Sequence, residues 1–102
     1  KEVEIQNLKI SVRDLSAEDI STRKLEKISG GVVITDISNT SPLKGLANIN
    51  DIIIEAKRTP IEDTSDLKNV VNKIVKKGEK NLLLLIIDSN NNRRRYLGVK
   101  LN

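Results

Sequence analysis

The chain has 102 residues, 37% hydrophobic and 31% charged, a balance that suits one globular domain with a single core and is too apolar for a disordered segment. It contains no His and no Cys, which excludes Ser-His-Asp and Cys-His catalysis within the chain, zinc sites built on thiolate or imidazole, and disulfides. Lys and Arg number 18 against 14 Asp and Glu, a net charge of +4, but the basic residues are scattered rather than striped, so charge alone names no partner.

Aromatic residues are almost missing, with one Tyr and no Phe or Trp, so Ile, Leu and Val must build the core and no platform exists for stacking bases or sugars. The longest apolar run, Leu82 to Ile87, falls far short of the roughly 20 residues that a membrane helix needs, so no membrane span is expected. No cofactor is expected either. The sequence has no Met and no secretory leader, and is expected to be a single domain, residues 1–102, cut from a longer protein.

Val3 and Ile5 alternate with Glu2 and Glu4, and residues 1–6 read either as a short strand or as a linker. Leu8, Ile10 and Val12 alternate with Lys9, Ser11 and Arg13, the period-two signature of a half-buried strand. Ser16 and Asp19 have the spacing of a capping pair and predict a short helix through about Leu25. Gly30-Gly31 breaks the chain before a β-branched strand, Val32 to Ile37. The segment from Ser38 to Asn50 reads as loop with room for one helical turn after Pro42, and Asp51 to Ala56 as a further strand.

Leu67, Val70, Val71, Ile74 and Val75 form one apolar helical stripe, with Thr64 or Ser65 as expected cap and Gly78 as stop. Leu82 to Ile87 predicts a buried strand, Ser89 to Asn92 a hairpin turn, and Arg94 to Leu101 a returning strand. In that strand Tyr96 and Gly98 share one face, while Leu97, Val99 and Leu101 share the other. The sum is an α+β domain of five or six strands and two helices.

In this order the segments resemble bacterial PDZ domains. Leu8-Lys9-Ile10 followed by Ser16-Ala17-Glu18 resembles the family's Leu-Gly-hydrophobic strand and Thr-Pro-Glu helix start. Gly31-Val32-Val33-Ile34 through Ser41-Pro42 is similar to its Gly-Val-Val-Val…Ser-Pro run, and Asn50-Asp51-Ile52-Ile53 to its Gly-Asp-Val-Ile. Thr59-Pro60-Ile61 and Ser65-Asp66-Leu67 match its Lys-Pro-Val and its Asp-Leu helix start. The resemblance runs from Leu8 to Leu101 and is nearest to the PDZ domains of HtrA/Deg (Do-like) periplasmic serine proteases, the second such domain preferred.

The resemblance implies a PDZ-like small, partly open β-barrel or sandwich capped by two helices. It also implies a periplasmic, peptide-binding regulatory module, without catalytic residues of its own, in a trypsin-like serine protease that forms homo-oligomers. The implied partners are unfolded or carboxyl-terminal peptide segments, the protease domain and other PDZ domains. The implied peptide site is a groove between a strand edge and a helix, where an extended peptide adds as one more strand. Leu8, Lys9, Ile10, Ser11 and Val12 would form one wall, with backbone N–H groups of the loop Asn7-Leu8-Lys9-Ile10 facing a carboxylate, and Val70, Val71 and Ile74 the other.

Three residues depart from the family pattern: Lys9 and Asn50 stand where Gly is usual, and Arg58 replaces the Gly of a hairpin that is therefore expected to be rebuilt. The segment between Pro42 and Asp51 is also one residue short of the usual length.

Plainer readings stand beside these. The alternation at Leu8, Ile10 and Val12 reports burial, not its purpose, and fits ordinary core equally well. Arg93-Arg94-Arg95 at a hairpin shoulder alternates between faces and reads as an exposed, aggregation-blocking hairpin rather than a nucleic-acid or lipid patch. A PDZ domain from another envelope protein, such as a carboxyl-terminal processing protease, an intramembrane metalloprotease or a secretion component, would account for the same residues.

Overall fold

The computed structural model describes residues 1–101, which form seven strands and two helices. In chain order these are β1 (Val3–Ile5), β2 (Ile10–Asp14), α1 (Ala17–Thr22), β3 (Val32–Ile37), β4 (Ile52–Ala56), β5 (Thr59–Pro60), α2 (Thr64–Lys76), β6 (Asn81–Ile87) and β7 (Arg94–Lys100). All pairings are antiparallel and make one open sheet in the order β1-β2-β3-β4-β6-β7, with β5 hydrogen-bonded to β4 off that path. The strand count exceeds the expected five or six because β1 and β5, three and two residues long, are too short for alternation to be diagnostic.

The two faces of the sheet bury separate clusters. On one face Ile5, Leu8, Ile10, Val12, Ile34, Ile53, Leu84 and Ile86 pack with Leu67, Val71 and Ile74 of α2. The stripe predicted for α2 therefore is core, with Val70 half-buried against it and Val75 exposed. On the other face Val33, Ile52 and Ile87 are covered by Leu15, Leu25 and Ile28 from the segments flanking α1. In β7, Leu97 and Val99 point inward with Leu101, while Tyr96 and Gly98 face solvent, as the alternation requires.

The helix ends follow local chemistry. Ser16 caps α1 in a reciprocal box with Asp19: the Asp19 N–H donates to Ser16 Oγ at 3.0 Å and the Ser16 N–H to Asp19 Oδ2 at 2.8 Å. α1 stops at Thr22, short of the expected Leu25. Lys24 turns to φ 56, and the Leu25 and Lys24 N–H groups close back onto Ile20 and Ser21 oxygens, a Schellman ending without glycine. Gly78, at φ 73, closes α2 the same way, with the Glu79 N–H on Ile74 O.

The cap of α2 is Asp63, not Thr64 or Ser65. Its carboxylate accepts the Asp66 N–H at 3.0 Å, while Asp14 at the end of β2 accepts the Thr64 N–H at 2.9 Å. A long-range partner for the first turn could not be read from the local sequence. Lys57 and Arg58 keep a two-residue hairpin between β4 and β5, both in the left-handed region at φ 53 and 59. The hairpin is thus not rebuilt, and the Lys57–Glu79 ion pair and the Arg58 guanidinium over the Tyr96 ring surround it.

Arg93 to Arg95 do not form a free basic patch. Arg94 donates to the carbonyl of Glu26 at 3.0 Å, and Arg95 donates to Leu46 O at 2.9 Å and lies 3.7 Å from Asp88 and 3.9 Å from Asp51. Arg93 and Arg94 are exposed, as expected for a hairpin shoulder, and Arg94 and the half-buried Arg95 in addition tie loops to the sheet. No described helix is long and apolar enough to cross a membrane.

The acidic partner in the α1 box also carries an ion pair. Arg13 grips Asp19 with both guanidinium nitrogens, at 2.7 and 3.0 Å, and these bonds, with the Ser16 N–H and hydroxyl, hold the Asp19 carboxyl well below the usual carboxylate range. A carboxyl that is more acidic folded than unfolded stabilises the fold above its unfolded pKa of about 3.9 and loses that contribution as pH falls through the folded value. Asp19→Ala is therefore expected to lower stability by about 1–2 kcal/mol at pH 7, discounted for the partly exposed Arg13. The gap should narrow as pH drops below about 4 in chemical-denaturation curves. A gap that stays constant down to pH 2 would contradict this assignment.

Candidate functional site

The residues singled out for a groove are brought together, but one strand deeper than expected. Leu8, Ile10 and Val12 of the β2 segment and Val71 and Ile74 of α2 all belong to the same buried cluster. Ser11 is half-buried on the opposite side of β2, Lys9 is exposed in the turn before it, and Val70 only flanks the cluster. The edge of β2 expected to be unpaired carries β1, in the antiparallel register Val3↔Val12, Glu4↔Ser11 and Ile5↔Ile10. Within residues 1–6, Val3–Ile5 form the strand, and Ile5 is 2% exposed and part of the main core.

A cleft of about 340 Å³ remains between β1 and α2. Its walls are Val3 to Asn7 on one side and Lys68, Val71 and Asn72 on the other. Of the eight residues expected to form the peptide site, only Val71 lines it. Lys68 and Asn72 were missed because they sit on the polar side of the helical stripe, where sequence periodicity assigns only solvent. Val3 and Ile5 did carry a signal, the same period-two alternation as β2, but three residues cannot separate a strand from a tail.

In the turn joining β1 to β2 the N–H groups of Leu8 and Lys9 are already used. The Leu8 N–H donates to Ile5 O at 3.0 Å and the Lys9 N–H to Gln6 O at 3.1 Å. Lys9 has φ 52, so it does adopt the left-handed conformation that glycine usually takes, at about 1 kcal/mol of strain. Asn50, which also stands where Gly was expected, has φ 80. Ser41, buried behind the turn, donates its hydroxyl to Leu8 O at 2.6 Å and accepts the Leu43 N–H, which locks Leu8 in place.

The arrangement holds one extended backbone, that of β1, against β2, buries its Ile5 side chain in the cluster shared with α2, and spends the Leu8 and Lys9 N–H groups on β1 and the turn residue after it. Among the described residues no group of three or more acidic side chains comes together that could hold a metal ion. The chain matches no family model and no curated protein.

Proposed function

We propose that this chain is a peptide-binding and regulatory module of the PDZ type, which takes extended or carboxyl-terminal apolar segments by strand addition beside α2. The observation that supports it most directly is β1 itself: an extended segment lies antiparallel on β2, with its Ile5 side chain buried and its Ile5 carbonyl at the Leu8 N–H. Main-chain pairing supplies affinity that does not depend on sequence, and the pocket under Val71 supplies preference for an aliphatic residue. The α+β fold and the order of the segments from Leu8 to Leu101 are compatible with a domain of an HtrA/Deg-type periplasmic serine protease. In that setting the chain contributes no catalytic residue, and its partners are unfolded peptide segments, the protease domain and sister PDZ domains of a homo-oligomer.

The test is an NMR titration of the intact chain with a short peptide ending in a free Val or Leu, beside the same peptide amidated. Shifts at Lys68, Val71 and residues 3–12 that weaken on amidation support carboxylate capture. Shifts that ignore amidation support internal strand addition, and no shift with any of a varied peptide set, in the intact chain or with β1 loosened, overturns the reading. Assembly within the parent is a second reading, favoured by the edge of β7, unpaired among the described residues, and the adjoining cleft of about 460 Å³ that includes Leu83 and Gly98.

A further inference from the structure

We infer that β1 is a tethered occupant of the groove, so that an incoming peptide enters by exchange with β1 rather than by adding to an open edge. This rests on the reading of the groove as a peptide site and adds a gate to it. Position comes first. β1 occupies the edge of β2 from Ile10 to Val12, three of its five residues, and α2 stands across the remaining cleft from it.

Side-chain chemistry agrees with occupancy. Ile5 is buried and Val3 half-buried on the core side, while Glu4 between them is exposed. Glu2, on the opposite side from Ile5, accepts a hydrogen bond from Thr35 Oγ1 at 3.1 Å. The turn donors agree as well, since the Leu8 and Lys9 N–H groups are spent on Ile5 and Gln6 carbonyls of the same segment. A second extended segment on β2 therefore has to displace β1 to reach its backbone.

The tether is built to release. β1 is three residues long, is paired along one side only among the described residues, and buries one side chain fully. Lys9, held at φ 52 without being glycine, puts strain in the turn that closes the hairpin. By contrast β2, β4 and β6 lie inside the sheet and cannot leave without dismantling it.

Three variants of the full chain test this, with a synthetic peptide of residues 1–5 carrying a free carboxylate as the probe. Ile5→Ser loosens β1 and is expected to bind the probe at least tenfold more tightly than the unmodified chain. Lys9→Gly relieves the turn, tightens β1 and is expected to weaken binding severalfold, a result that loss of folding could not mimic if its melting temperature is unchanged or raised. The pair Glu4→Cys with Ser11→Cys, cross-strand neighbours in a chain that has no other Cys, is expected to lose binding when oxidised and regain it on reduction.

Equal affinity in all three, with the oxidised pair still binding, overturns the gate while leaving peptide binding intact. No binding by any variant, with rapid amide exchange showing β1 released in Ile5→Ser, overturns the peptide site itself and the gate with it.

Discussion

Asp51→Ala is expected to lower the unfolding free energy by about 3 kcal/mol, a large share of the roughly 5–15 kcal/mol typical of a domain. Asp51 is completely buried, and its two carboxylate oxygens accept the Asn48 N–H at 2.9 Å and the Ser89 N–H at 2.8 Å. One acid thereby joins the loop before β4 to the β6–β7 turn, with Arg95 3.9 Å away for charge balance. Truncation removes both acceptors, leaves two backbone donors short of partners and opens a small void. Asp51→Asn should recover little, because its amide nitrogen would face one of those donors. Urea titration measures the loss, and faster amide exchange at Ser89 and Asn48 should accompany it. A loss under about 1 kcal/mol would mean that the loops hold together without this carboxylate.

Gly31→Ala is expected to cost about 2–3 kcal/mol for a different reason. Gly31 sits at φ 151, where side chains are strained, and its backbone is fixed from both ends, its N–H on Glu62 O and its carbonyl accepting the Leu15 N–H. An added Cβ would also stand 3.0 Å from Ile53 O and 3.2 Å from Ile52 Cγ2, so β4 would have to move. Gly98 is the contrast. Nothing lies within 4 Å of a Cβ built there, and it occupies the exposed face of β7. Gly98→Thr should be neutral or stabilising by about 0.5 kcal/mol, since a β-branched residue suits a strand better than glycine. If Gly31→Ala and Gly98→Thr melted alike, the close approach at Gly31 would carry no energetic weight.

Much of the element order was legible because its signals are local. The β-branched run from Val32 to Ile37 is a strand with those bounds, the Ser16–Asp19 spacing is a working capping box, and Gly78 ends α2. Each depends only on residues within a turn or a strand of one another. The candidate site was legible only in part. Alternation at Leu8, Ile10 and Val12 shows that one face of β2 is buried, and that holds. It does not show what lies along the edge of the strand, because edge pairing uses backbone groups that every residue has.

Local pattern therefore settled which segments become strands and helices and which of their faces are buried, through side-chain periodicity and end-capping chemistry confined to a few neighbouring residues. Tertiary structure alone decided the neighbours: β1 on the edge of β2, Asp14 at the start of α2, Arg94 and Arg95 on distant carbonyls, and Asp51 between two loops. Those partners lie from 38 to 68 residues away for the side-chain contacts, and are chosen by how the whole sheet packs on its two aliphatic clusters. β1 lies close by in sequence, yet its three residues are too few to announce themselves without the strand and helix that enclose them.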